Sequence, residues 1–203
     1  MDILLEDISK RFTSGWVFRH INHKIIKGDR LAITGQNGSG KSTLLQIVCG
    51  YLTNTEGKVT YSIDGQKINR DNIFKHLAIS AAYMELDEEL SAAEIFEHNK
   101  IFKPYLVEEL DEFLDLVQLG SEQDKEVKYY SSGMKQRLSL ALALCMDVPL
   151  LILDEPTSFL DYQKKEWFDR MLDQYGVNKT IVIASNDDFD IRTCNKSISL
   201  DLD

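Results

Sequence analysis

Long apolar runs are missing from these 203 residues. None approaches the roughly 20 residues a helix needs to cross a bilayer. The opening stretch Met1-Asp2-Ile3-Leu4-Leu5-Glu6 lacks the positive region and apolar core of a signal peptide, so a cytoplasmic location is expected. Cationic excess is missing too. Asp and Glu number 33 against 23 Lys and Arg, a formal charge of −10. Nucleic-acid backbones are neutralised by clustered cations, so no nucleic-acid partner is expected. A small site on an acidic protein can still be locally positive, which leaves nucleotide binding open. Cysteine is scarce. Cys49, Cys145 and Cys194 are an odd number, widely spread and without metal-ligand spacing, as reduced thiols of a cytosolic protein would be. Cys49 and Cys145 lie in apolar runs and are expected in the core. His20, His23, His76 and His98 form no metal-binding or nucleophilic pattern. Repeats, linkers and low-complexity tracts are absent.

What remains is the composition of one ordinary globular domain, 43% hydrophobic and 28% charged. Leu31-Ala32-Ile33-Thr34 is a short apolar run entering a Gly-rich loop. Leu44, Leu45, Ile47 and Val48 then follow at helical spacing up to Gly50. Leu150 to Leu153 and Thr180 to Ala184 are continuous apolar runs, the pattern of parallel strands buried on both faces. Between them, Asp161 to Tyr175 carries Trp167, Phe168, Met171, Leu172 and Tyr175 on one helical stripe before Gly176. Val59, Tyr61 and Ile63 alternate before Asp64-Gly65, so Gly57 to Ile68 reads as a β-hairpin of an antiparallel side sheet.

From about Ser91 to Cys145 the strand patterns give way to helical ones. Ser91-Ala92-Ala93-Glu94 is a capping box. Pro104 to Leu119 carries Leu106, Leu110, Phe113, Leu114 and Val117 at the spacing of one helix face, ending at Gly120. The expected domain therefore spans 1–203, with an α/β core in 1–90 and 146–203 and a helical insert in 91–145. The acidic run Glu85, Asp87, Glu88 and Glu89 reads as a solvated loop.

Gly35-Gln36-Asn37-Gly38-Ser39-Gly40-Lys41-Ser42-Thr43 matches G-x-x-x-x-G-K-[ST], between a predicted strand and a predicted helix. Glycines let the backbone curl so that successive N–H groups face phosphate oxygens, and the helix adds its free amides and positive dipole end. In such a loop Lys41 reaches the β- and γ-phosphates and the Ser42 hydroxyl ligates Mg²⁺. Leu150 to Leu153 runs directly into Asp154-Glu155-Pro156. A carboxylate at the end of a buried parallel strand lands in the crevice where open α/β sheets bind ligands. Asp154 is the expected Mg²⁺ acid and Glu155 the residue that orients or deprotonates an attacking water.

With both motifs in one chain, the sequence resembles the ATP-binding cassette family along nearly its whole length. Tyr130-Ser131-Ser132-Gly133-Met134-Lys135-Gln136-Arg137 resembles the family signature L-S-G-G-Q. The resemblance implies a P-loop NTPase fold of mostly parallel sheet, an antiparallel β side sheet and a helical insert. It also implies ATP and Mg²⁺ as ligands, with Ser131, Ser132 and Gly133 capping the ATP of a second cassette in a homodimer or heterodimer. Ser158-Phe159-Leu160-Asp161 resembles the D-loop that crosses that interface. An aromatic residue before the P-loop stacks on adenine in this family; Phe12 fits best, with Trp16 its rival.

Three departures stand out. Ser132 and Met134 replace Gly and Gln of the signature. No Gln lies between Gln66 and Gln118, so the Q-loop glutamine is missing, its place falling near Tyr83, Met84 or Glu85. Asn186 stands where the switch histidine belongs; it can donate a hydrogen bond but cannot carry the imidazolium charge. A slow ATPase is expected. The preferred reading is the ATPase subunit of a transporter, peripheral at the inner face of a membrane through a separate permease. The alternatives are a nucleotide-binding regulatory module with little turnover and a soluble, non-transport cassette ATPase.

Overall fold

The computed structural model describes residues 1–81 and 83–200. The expected domain limit at Asp203 lies outside the described residues. The chain opens with two long strands, β1 (Asp2–Phe12) and β2 (Gly15–Ile25), followed by the short β3 (Arg30–Thr34) and helix α1 (Lys41–Val48). The hairpin expected in 57–68 is β4 (Glu56–Ile63) and β5 (Gln66–Ile68), after which β6 (Leu77–Ser80) enters the core. Three helices come next: α2 (Ala92–Lys100), α3 (Leu110–Val117) and α4 (Ser132–Cys145). The remainder alternates strand and helix: β7 (Leu150–Asp154), α5 (Tyr162–Tyr175), β8 (Thr180–Ala184), α6 (Asp188–Ile191) and β9 (Lys196–Ser199).

These strands form two sheets. A four-stranded antiparallel sheet runs β2-β1-β4-β5, and a five-stranded sheet, parallel throughout, runs β6-β7-β8-β3-β9. The continuous apolar strands have the reason anticipated for them. On β7, Leu151 and Leu153 pack into a core with α2, α3, α4 and α5. Leu150 and Ile152 pack into a second core formed with α1 and the antiparallel sheet. Both faces are thus buried, so no polar alternation survives.

The register of the parallel sheet sets up the site. Asp154 pairs with Ala184 across β7 and β8, and Ile33 pairs with the same Ala184 across β3 and β8. Two backbone bonds extend the ladder beyond the strands: Glu155 N–H donates to Ala184 O at 2.8 Å and Ser185 N–H to Ile33 O at 3.2 Å. The loops that begin at Gly35, Glu155 and Ser185 therefore leave one rim side by side.

Local expectations hold at several helix ends. Ser91 and Glu94 form the reciprocal capping box of α2. Asp161 caps α5 by accepting from Lys164 N–H, and Trp167, Phe168, Met171, Leu172 and Tyr175 are all buried. The helix expected over 104–119 is shorter and begins at Leu110. Tyr105 instead bridges Met146, and Leu106 N–H donates to Cys145 O at 2.7 Å, so this backbone is committed to the end of α4. Leu106 is consequently exposed. Gln118, in the left-handed conformation at φ +59°, ends the helix before Gly120. Its last carbonyls are met by the buried Arg137, which donates to Val117 O and Gln118 O at 3.0 Å each.

Candidate functional site

The loop from Gly35 to Gly40 curls around the ammonium of Lys41, which donates to Gly35 O at 2.8 Å and Gln36 O at 3.4 Å. Gly40 sits immediately before α1 at φ +101°, where a Cβ would lie 2.4 Å from Val17 Cγ1. Only a residue without Cβ fits both the dihedral and the space. No side chain caps α1, so its first amides stay available to an anion, as the first-turn N–H groups of a helix are. Asn37, Gly38, Gly40, Lys41, Ser42 and Thr43 line one cavity together with Glu155 and Val17. Gly35 and Ser39 do not line it; they pack on each other in the same loop, where a Cβ on Gly35 would meet Ser39 Oγ at 2.6 Å, and Ser39 Oγ is buried without a hydrogen-bond partner among the described residues.

The carboxylates approach from β7. Asp154 is buried, and burial pushes its carboxyl up from the ordinary value against the opposing effects of a hydrogen bond with Ser42 and the charge of Lys41. Its Oδ1 has no hydrogen-bond partner among the described residues. An orphaned carboxylate oxygen beside a hydroxyl is a donor set suited to a hard cation, so Ser42 and Asp154 fit Mg²⁺. Glu155 follows at φ +47°, an uncommon conformation for a residue with a side chain, and such outliers gather at functional sites. Its backbone is gripped by Ala184 O and by the Ser158 hydroxyl, which donates to Glu155 O at 3.0 Å. Its side chain points into the cavity, with Oε1 3.8 Å from Lys41 Nζ.

Asn186 reaches the same rim from β8, and its side-chain amide donates to Asn37 Oδ1 at 3.1 Å. Ser185, fully buried, donates toward Glu155 Oε2 at 3.0 Å. Tyr83, one of the three residues near which the Q-loop glutamine was expected, shares a hydrogen bond with Gln46 of α1; burial pushes its phenol up, helped by Cys49 and Asp154.

Other expected site residues lie elsewhere. Ser131 caps α4 by accepting from Met134 N–H at 3.3 Å, with Ser132 as the first helical residue. Gly133 packs against the D-loop, where a Cβ would lie 3.2 Å from Phe159 O. Ser132 lines a different cavity, shared with Lys135, Gln136 and Phe159, and is not among the residues around Lys41. Phe12 is exposed at the end of β1 with the Lys10 ammonium 4.8 Å from its ring centre; it does not line the cavity. Trp16 holds Arg11 and Arg19 against its ring, at 5.7 and 4.7 Å.

The contacts of Val17 and Ser185 were invisible to motif reading. Val17 is an ordinary strand residue whose neighbour Gly40 is far along the chain, and no local pattern marks that contact. Ser185 lay inside a recognised loop, but nothing in its spacing to Glu155 signals a hydrogen bond.

The family model for ABC transporter matches residues 18–158. The chain is 34% identical over 158 residues to the uncharacterized ABC transporter ATP-binding protein YdbJ of Bacillus subtilis (strain 168), covering 77% of this chain. It covers 51% of that protein, about half its length. It is 30% identical over 200 residues to the aliphatic sulfonates import ATP-binding protein SsuB of Bacillus thuringiensis subsp. konkukian, covering 94% of this chain and 76% of the relative. Among solved structures it resembles the dimeric form of MJ0796, a bacterial ABC transporter cassette, with a TM-score of 0.82 and 27% identity over 98% of this chain and 94% of that one. A post-hydrolysis dimer of the same cassette, bound to ADP and Pi, matches with a TM-score of 0.83 and 25% identity, covering 99% of this chain and 96% of that one. Among the described residues no helix is long and apolar enough to cross a membrane.

Proposed function

The chain belongs to the ABC transporter family, and from that membership we propose that it is the ATP-hydrolysing subunit of a transporter, paired with a second cassette and driving a separate permease. The observation that carries this reading is the register of β3, β8 and β7, which brings Lys41, Ser42, Asp154 and Glu155 to one rim.

In this mechanism the uncapped amides of α1 and the Lys41 ammonium bind the phosphates of ATP. Lys41 is already held in the loop by two carbonyls, so little ordering is lost when it turns to a phosphate oxygen. Ser42 and Asp154 Oδ1 would hold Mg²⁺, which when bound would neutralise phosphate charge. Glu155 orients the attacking water and takes its proton. Asn186 donates to the γ-phosphate in place of a histidine, without the positive charge that would stabilise the transition state further. Phe12, open on the β1–β2 hairpin, offers an aromatic face to adenine. Ser131, Ser132 and Gly133 start α4 away from this chain's own P-loop, which supports their acting on ATP held by a partner cassette. Closure of the pair on ATP and reopening after hydrolysis is the motion a permease reads. That permease would hold the subunit at the cytoplasmic face of the membrane.

Lys41→Ala and Glu155→Gln test the reading. Lys41→Ala is expected to weaken ATP binding by on the order of 10- to 100-fold, since charge-assisted bonds are lost. Glu155→Gln is expected to bind ATP, stop turnover and accumulate an ATP-bound dimer detectable by light scattering. A Lys41→Ala protein that held nucleotide as tightly as the parent would overturn the assignment. A second reading, a regulatory module with little turnover, draws support from the hydrogen bond that engages Asn186 with Asn37. A parental rate no higher than that of Glu155→Gln would favour it.

A further inference from the structure

Ser185 has more polar neighbours than its single hydrogen can serve. Its Oγ accepts from Asp187 N–H at 3.0 Å. It also lies 3.0 Å from Glu155 Oε2 and 2.6 Å from Asp190 Oδ2. A hydroxyl offers one hydrogen and two lone pairs. The amide of Asp187 occupies one lone pair, leaving one hydrogen for two carboxyl oxygens. A proton carried by one of the carboxyl groups gives each contact a hydrogen of its own. Without it, two carboxylates would have to share one hydrogen in a weakened three-centre bond.

The surroundings decide which carboxyl carries it. Asp190 is 2% exposed, and its other oxygen accepts from the Thr157 hydroxyl at 2.7 Å, itself buried. The cation facing this region from α5 is Lys165, and its ammonium is paired with Asp187. Of the other titratable groups facing Asp190, Asp187 adds negative charge, while Cys194 is a thiol whose own ionisation is disfavoured by burial. Burial pushes the Asp190 carboxyl up despite its two hydroxyl partners. Glu155, by contrast, is partly exposed and has the Lys41 ammonium 3.8 Å from its Oε1.

We propose that Asp190 is a positioning residue for Glu155: kept as a neutral acid, it donates to Ser185 Oγ, which turns the Ser185 hydroxyl to donate to Glu155 Oε2. This relay runs from a buried group behind β8 to the rim. It fixes one oxygen of Glu155 and leaves Oε1 facing Lys41 and the cavity. Together with the backbone grip at Ala184 O, it holds both ends of a residue whose φ is positive. The inference rests on the reading of Glu155 as the group that orients water.

Four variants of the full chain test it by steady-state ATP turnover between pH 6 and 9, with infrared spectroscopy on the parent. Ser185→Ala is expected to lower kcat by on the order of ten-fold, the worth of a hydrogen bond to a charged group, while leaving the KM for ATP little changed. Asp190→Ala is expected to match it. Asp190→Asn, whose amide still donates to Ser185 and accepts from Thr157, is expected to recover most of that loss. The parent is expected to lose kcat as rising pH ionises Asp190, and Asp190→Asn to lack this alkaline limb. The parent's infrared spectrum near neutral pH is expected to hold a protonated-carboxyl band that Asp190→Asn removes. The proposal is overturned if Asp190→Asn is as slow as Asp190→Ala, if Ser185→Ala keeps parental kcat, or if no carboxyl band is assigned to Asp190. Glu155→Gln separates the two levels: if it turns over ATP like the parent, the reading of Glu155 as the group that orients water fails; if it is inactive, a failure of the other variants counts against the relay alone. Should Asp190→Ala not fold, Ser185→Ala and the infrared band decide the matter.

Discussion

Asn186 donates its side-chain amide to Asn37 Oδ1 at 3.1 Å, tying the loop after β8 to the P-loop across 149 positions of sequence. The contact is solvent-exposed, and such a neutral bond is worth about 0.5–1.5 kcal/mol. It joins the residue expected to stand in for the switch histidine to the loop proposed to hold the phosphates. The donor is thus already at the mouth of the site but engaged with protein instead of ligand.

Substituting Asn186→His is expected to raise turnover on the order of ten-fold, because a charged donor binds an anionic oxygen better than a neutral one by roughly 1–2 kcal/mol. Phosphate release at saturating ATP measures it. A parental rate equal to that of fast cassettes, with no response to Asn186→His, would refute the link between Asn186 and slow hydrolysis.

Lys179 offers a test of stability. It is 4% exposed, its ammonium reaches Leu144 O near the end of α4, and burial lowers its pKa from 10.5 to about 8. The folded state therefore disfavours the charged form. The resulting cost is fully present below pH 8 and disappears as pH rises through 10.5, where the unfolded chain also loses the proton. Lys179→Met is expected to gain on the parent by up to about 3 kcal/mol at pH 7, with the gain shrinking between pH 8 and 10.5. Urea unfolding of both proteins across that range reads the difference, and a gap independent of pH would refute the assignment.

Gly40→Ala combines two penalties, φ +101° and a Cβ 2.4 Å from Val17 Cγ1. A loss of roughly 1–3 kcal/mol in unfolding free energy is expected, with weaker ATP binding because the loop must shift. Adding Val17→Ala removes the contact with Val17 Cγ1 but leaves the strained dihedral and Phe18 Cδ1 at 3.1 Å, so only part of the loss should return. Full recovery in the double variant would show that the dihedral costs nothing.

Much of the fold was legible because its signals are local. The capping box at Ser91, the buried stripe of α5 and the unbroken apolar strands follow from cap spacing and from helix and strand periodicity over a few residues. The family resemblance rested on motifs of the same short range. The error over 104–119 has the opposite origin. Leu106 sits at the spacing of a helix face, yet its amide bonds to Cys145 O, and periodicity cannot register a competing partner 39 positions away.

The sequence by itself determined which segment forms the glycine-rich loop ahead of α1, where the carboxylates leave their strand, and to which family the chain belongs. Each of these is encoded within a dozen residues by glycine geometry, apolar periodicity and charge. Only the tertiary structure decided that Val17 would lie over Gly40, that Asn186 would meet Asn37, and that a buried Asp190 would stand behind Ser185 and Glu155. Those contacts depend on the order and register of β7, β8 and β3, strands drawn from opposite ends of the chain, whose pairing is fixed by the packing of whole faces and leaves no mark on any short stretch of residues.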